Sequence, residues 1–302
     1  MTITTDRAVL PHYRGAVGVS SAFGTFGELL QGVLPEEDGD FLVTLPIARW
    51  TMATFQANHH TTELEVRPRT KRKALRLAQM MMQEAPEPVG GVLTLEGGLP
   101  EGKGLASSSA DLVATARAIG NVLDIELAPR TIEGFLSRIE PTDGVLHPGI
   151  VAYHHRSVRL RRVLGSLPTM TIVGLDEGGA VDTVAFNRIP KPFGPAEQRE
   201  YVRLLDRLTG AVAARDLGAA GAVATRSAEL NQLLRPKRTL GAMTALCQDL
   251  GALGVVVAHS GTVIGVLIDS TEPDAPDKIA VAARTCEALA GNVTMYSTLS
   301  FD

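Results

Sequence analysis

The 302-residue chain has little cysteine: Cys247 and Cys286 are its whole complement. That excludes a disulfide framework and a cysteine-rich zinc site. Aromatic residues make up 4% and tryptophan occurs once, so there is little from which to build a stacking platform for single-stranded nucleic acid. Neither sign of charge dominates. The 29 Lys and Arg against 33 Asp and Glu leave a net charge of −4, which gives no general pull toward nucleic acid or anionic lipid. Long apolar runs are missing too. The most apolar stretch, residues 251–268, is interrupted by His259, Ser260, Gly261 and Thr262, and predicts two buried strands around a tight turn rather than a membrane span. Residues 1–15 lack the basic start and apolar run of a secretion signal, so a soluble cytoplasmic protein is expected. There is no repeat and no low-complexity linker.

What remains is an ordinary folded composition, 45% hydrophobic and 21% charged, with enough length for two domains. In the first half, residues 16–23, 41–47, 50–56, 63–66 and 91–96 read as strands. Residues 71–84, a segment starting near Ser107, and residues 130–139 read as helices. The Met80, Met81, Met82 cluster reads as core filling. Residues 158–167 read as a crossing between halves, with Arg159, Arg161 and Arg162 on a solvated face or against an anion. The second half predicts a strand at 169–175, helices over 195–234 broken near Gly210 or Gly218, a helix at 240–250, the apolar hairpin, a helix at 277–289 and a strand at 293–299. That order matches a split β-α-β unit with extra helices inserted.

The most informative segment is 97–118, GGLPEGKGLASSSADLVATARA. A short strand runs into a glycine-dense loop, then three serines, then an amphipathic helix. Glycines let successive backbone N–H groups approach one anion, and a helix N-terminus adds partial positive charge. Ser107, Ser108 and Ser109 offer N-cap oxygens, and one hydroxyl could reach a phosphate or Mg²⁺ instead. Lys103 is a point charge within the loop. Two better-known phosphate motifs fail. Gly104 stands where the P-loop needs Ser or Thr, and Ser107 stands where the dinucleotide fingerprint needs its third glycine. A capped surface helix after a flexible turn is the bland alternative. The pairs His59–His60 and His154–His155 invite a metal reading, but neighbours on a strand face opposite ways, so both read as surface or packing residues.

Residues 100–110, PEGKGLASSSA, resemble the central phosphate-loop motif of the GHMP kinases, with Ala106 at its third glycine position. Residues 24–32, GTFGELLQG, are similar to the first family motif, and residues 258–265, AHSGTVIG, to the third. Taken with EPTDG at 140–144, the set looks like the L-threonine kinase branch. Leu29 stands where other branches carry histidine, and Phe26 where this branch often carries cysteine. The resemblance implies an α+β fold of two domains: an N-terminal ribosomal-protein-S5-like α/β domain over residues 1–165, and a C-terminal split β-α-β (ferredoxin-like) domain with inserted helices over 166–302. It implies transfer of the γ-phosphoryl group of ATP, with Mg²⁺, to the side-chain hydroxyl of L-threonine. Homoserine, serine or a specialised-metabolite alcohol is the alternative acceptor, and an inactive nucleotide-binding regulator a third reading.

The roles the resemblance implies are as follows. The loop residues Gly102, Lys103, Gly104, Leu105, Ala106, Ser107, Ser108 and Ser109 hold the ATP phosphates. Ser108 aligns with the serine that contacts Mg²⁺, and Glu140 and Glu133 compete as its carboxylate. Asp143 serves the acceptor hydroxyl, with Lys103 as the second catalytic group, although Pro-x-Asp-Gly is also plain turn chemistry. Glu28, Gln31, Thr142, Asp143, His259 and Ser260 contact the substrate, whose own carboxylate could meet Arg159 or Arg161. The hairpin turn at His259 and Ser260 is expected to pack on the phosphate loop. No nucleic-acid or membrane partner is expected, and apolar surfaces of the second half could support a homodimer.

Overall fold

The computed structural model describes residues 17–179 and 189–301. The reading of residues 1–15 and the start of the first expected strand lie outside them.

Two long strands form the spine. β1 (Val17–Val33) and β2 (Asp40–Asn58) pair antiparallel from Val17 opposite Gln56 to Val33 opposite Asp40. β1 runs ten residues beyond the expected end at Phe23, because residues 22–32 are buried continuously between layers, as Phe26, Leu29 and Leu30 are, and leave no alternation to read. β3 (Leu64–Arg67) lies parallel to β4 (Gly90–Gly97), and β4 antiparallel to β2. α1 (Arg72–Glu84) crosses between them and buries Ala74, Leu77, Ala78, Met81 and Met82 on one stripe. α2 (Ser107–Leu123) is buried almost all round, which its alanines allow, and it packs on β1 and β2. α3 (Pro129–Ser137) follows.

β5 (Ile150–His154) pairs with β2 and with β6 (Arg159–Gly165). The expected crossing at 158–167 is thus mostly a strand. Its arginines lie on the outer side, Arg159 at 3.3 Å from Asp38 and Arg161 bonded to Glu36.

In the second half, β7 (Met170–Asp176) precedes three helices: α4 (Pro195–Ala214), α5 (Leu217–Asn231) and α6 (Leu240–Asp249). The expected helix break falls at Arg215 and Asp216. Arg215 takes a left-handed conformation (φ 57°), and the Asp216 carboxylate caps α5 by accepting from the Ala219 N–H at 2.8 Å. β8 (Gly254–Val257) and β9 (Val263–Asp269) form the apolar hairpin, followed by α7 (Ala275–Ala290) and β10 (Val293–Ser297).

The sheet order is β10-β7-β9-β8-β1-β2-β4-β3. Its first four strands, all antiparallel, have the strand order of a split β-α-β unit. They meet the N-terminal sheet where Glu28 of β1 pairs with Val257 of β8. Two apolar cores result, one under β1, β2 and α2, the other between β7–β9 and α6–α7. No helix among the described residues is long and apolar enough to cross a membrane.

Candidate active site

Three segments converge where the two halves join. The loop before α2 ends on Ala106, whose backbone is left-handed (φ 56°), as are Gly102 (φ 70°) and Gly104 (φ 88°). No side chain caps the helix, so the three serines do not act as N-caps. They occupy its first turn, where N–H groups have no partner within the helix, and their hydroxyls turn sideways. Ser108 Oγ donates to Glu140 Oε1. Ser109 Oγ accepts from the Asp143 N–H at 3.0 Å and lies 3.3 Å from Asp143 Oδ2.

The loop is braced from behind by backbone. Gly27 N–H donates to Gly104 O at 3.0 Å, Thr25 N–H to Leu105 O at 3.3 Å, and Thr262 N–H to Lys103 O at 3.0 Å. The hairpin turn therefore packs on the loop as the sequence predicts. A side chain on Gly261 would collide with the Lys103 carbonyl, and one on Gly27 with the Val257 carbonyl. The Gly261 carbonyl in turn accepts from Arg235 Nε at 3.1 Å and from Lys237 Nζ. Burial, with Arg235 beside it, pushes the Lys237 ammonium down to about 8.

In front of the loop lies a cavity of about 420 Å³, a size that suits a small ligand. Gly102, Gly104, Leu105, Ala106, Ser107, Ser108 and Ser109 form one wall. Glu28, Gln31, Glu140, Thr142, Asp143 and Ser260 line the cavity as well, so three carboxylates face it. Burial, then the charges of Glu28 and Glu140, raise the Asp143 carboxyl from 3.8 to about 7 against the opposing bond from Ser109. Glu28 is fixed by His259, whose N–H donates to Glu28 Oε2 at 3.1 Å and whose Nδ1 lies 2.8 Å from the same oxygen. Nε2 of His259 is hydrogen-bonded to Ser227 Oγ at 2.8 Å, which also accepts from the Gln31 N–H at 3.2 Å. The side-chain oxygen of buried Gln31 has no protein partner.

Two expected site residues stand elsewhere. Lys103 turns out of the loop, to Asp176 Oδ2 and Gly179 O, each at 2.6 Å, because its backbone is held inward by the hairpin turn. Glu133 is buried on α3, where Oε1 is bonded to His147 Nε2 at 3.0 Å and accepts from the Leu160 N–H at 2.9 Å. It serves the junction of α3 with β6 and does not line the cavity. Of the two competing carboxylates, Glu140 is the one beside Ser108. His259 reaches the cavity only through Glu28, and Arg159 and Arg161 stay with their acidic partners outside the lining.

The sequence reading missed the basic wall. Thr70, Lys71, Arg72 and Lys73, at the start of α1, line the cavity together with His155 and Asp111. Lys71 Nζ lies 2.6 Å from Glu101 and 2.7 Å from Asp111. Burial works against its charge, but bonds to Asp111 and Glu101 prevail and hold its pKa above the ordinary lysine value. Lys73 Nζ donates to Glu140 Oε2. A signal was present: three cations at a helix N-terminus oppose the helix dipole, and such local conflicts mark functional sites.

One hydroxyl and one carboxylate beside a phosphate-shaped loop fit Mg²⁺, which keeps several waters and takes one or two protein ligands plus phosphate oxygens. Among the described residues no cluster of three or more His, Cys, Asp or Glu could hold a metal unaided. Such a site would require the nucleotide.

The fold that carries this site is the two-domain α+β fold of the GHMP kinases, and residues 72–150 match the family described as GHMP kinases N terminal domain. The resemblance read from the motifs therefore holds for the fold and for that domain. Among solved structures, mevalonate kinase of L. major in complex with R-mevalonate superimposes with a TM-score of 0.71 at 16% identity, covering 97% of this chain and 99% of that one. Homoserine kinase from Cytophaga hutchinsonii superimposes at 0.72 with 15% identity, covering 96% and 98%. Among curated proteins, the chain is similar to the L-threonine kinase of Citrobacter freundii, at 28% identity over 260 residues, which is 85% of this chain and 88% of that protein.

Proposed function

We propose that the protein is an ATP-dependent small-molecule kinase that transfers the γ-phosphoryl group to the side-chain hydroxyl of L-threonine, giving O-phospho-L-threonine. The observation that carries this reading is the pairing of α2's first turn with two carboxylates, Ser108 with Glu140 and Ser109 with Asp143, across one cavity.

Phosphoryl transfer is mostly positioning and charge neutralisation. In this reading the open N–H groups of the loop and of α2 hold the phosphates. Ser108 and Glu140 hold Mg²⁺, which when bound offsets charge on the phosphate oxygens. Asp143 orients the acceptor hydroxyl and takes its proton, and a carboxyl with a pKa of about 7 suits a base working near neutrality. Glu28, kept in place by His259, receives the substrate ammonium, and the unpartnered Gln31 oxygen is a second acceptor for it. The acceptor's own carboxylate then faces the basic wall of α1 rather than Arg159 or Arg161. Similarity to a named L-threonine kinase supports the choice of acceptor.

The test is ADP release with Mg-ATP and a panel of L-threonine, L-serine, L-homoserine, mevalonate and galactose. Turnover with L-threonine alone is expected. Turnover only with another alcohol reassigns the acceptor, and ATP binding without turnover on the whole panel makes the protein a nucleotide-binding regulator.

A further inference from the structure

Glu140 is the most buried carboxylate of the cavity, with 3% of its side chain exposed, yet both its oxygens are taken. Oε1 accepts from Ser108 and Oε2 from Lys73. A carboxylate so engaged must release a partner before it can ligate an ion. The two cations of the basic wall differ in their freedom to leave. Lys71 is 19% exposed and gripped by two carboxylates, Glu101 and Asp111. Lys73 is 47% exposed, is the second residue of α1, carries its charge on a four-carbon stem, and holds Glu140 by its ammonium alone. It lines the cavity from α1 and meets Glu140 across 67 residues of sequence.

We propose that Lys73 is a nucleotide-binding residue that stands on Glu140 while the cavity is empty, and that on nucleotide binding it exchanges the carboxylate for a phosphate oxygen, freeing Glu140 Oε2. This rests on the kinase reading. The ammonium keeps a charge-assisted bond throughout, first to carboxylate and then to phosphate, while Glu140 keeps only its bond from Ser108 and is left with an oxygen open to a cation. A purely structural Lys73 would neutralise Glu140 and do nothing for ATP.

The two roles separate when ATP binding is measured by calorimetry with magnesium removed by EDTA, so that the lysine's contact is read without the metal. Lys73→Met is expected to weaken Mg-free ATP binding about tenfold, the worth of one charged hydrogen bond. Lys73→Arg should stay within about threefold of the parent. Glu140→Gln should tighten Mg-free binding, because the lysine is no longer held back, and that gain should vanish in the double variant K73M/E140Q. Mg-free affinity in Lys73→Met within twofold of the parent would overturn the inference, as would a Glu140→Gln gain that survives in the double variant. If Lys73→Met does not fold, the absence of tightening in Glu140→Gln overturns it instead. Binding by the parent only with magnesium overturns the inference and leaves the kinase reading standing. No binding of ATP in either condition overturns both.

Discussion

In the kinase reading the chemistry at the scale of single residues falls to Asp143, which lines the cavity. Its replacement by alanine is expected to lower turnover at least about 100-fold, with ATP binding retained, as steady-state kinetics and calorimetry would show. Its raised pKa also fixes the direction of the pH dependence. The deprotonated form is the base, so kcat/KM should climb as pH rises through about 7 and level off above, and that limb should disappear in Asp143→Asn. The stability consequence has the opposite sign. The carboxyl titrates near 3.8 when unfolded and near 7 when folded, so folding takes up a proton. The stability this gives is full below 3.8 and drains away as pH rises through 7. Asp143→Asn should therefore melt higher than the parent at pH 8 and not at pH 4, by differential scanning calorimetry without ligand. That Asp143, Ser108 and Glu140 belong around one cavity was readable from sequence because each lies inside a short recognisable pattern. Lys71 and Lys73 offered only the conflict of cations with the dipole of α1, since they lie some thirty residues before the loop, and a basic run on an amphipathic helix reads as solvent-facing until the partner carboxylates are in place. Lys103 misled for the converse reason: a cation inside a glycine loop points wherever its braced backbone allows.

Among elements, the phosphate loop is held by shape. Ala106 adopts a left-handed conformation where most of the resembling motifs carry glycine, and its Cβ costs about 1 kcal/mol there. Ala106→Gly is expected to raise the melting temperature by a few degrees, read by a thermal scan, while ATP affinity stays near the parent's. Gly261 has no such latitude. Gly261→Ala would press a methyl group against the Lys103 carbonyl and the Gly104 Cα, backbone atoms that cannot swing aside. A drop in melting temperature together with weaker ATP binding is expected; a variant as stable and as tight as the parent would show the hairpin turn to be dispensable. The helices with strong stripes and the apolar hairpin could be read from periodicity. β5 could not, because its five residues are buried throughout and follow a turn, leaving no alternation to recognise. β6 was hidden by its arginines, because Arg161 and Arg162 in succession break the alternation that Arg159 and Leu160 begin, and Arg159 and Arg161 pair outward.

For the whole molecule, the order of elements in the second half was enough to suggest a split β-α-β unit, since that topology is written in the succession of strand and helix patterns. The junction of the halves was legible only in the expectation that the hairpin turn packs on the loop; its main-chain pairings, Glu28 opposite Val257 and Thr262 to Lys103, are encoded by no side-chain pattern. A ligand gripped there touches both halves at once. Mg-ATP at a hundred times its dissociation constant is therefore expected to stabilise the protein by about 2.7 kcal/mol and to shift the whole melting curve as one transition. Two separated transitions with only one moving would show that the halves melt independently.

That junction also decides what dissolved salt can disturb. Hydrogen bonds between neutral main-chain groups of the two halves are indifferent to counterions. Lys71 and Glu101, which both line the cavity, form a charged pair at 2.6 Å with the glutamate 67% exposed, and added salt loosens such a pair first.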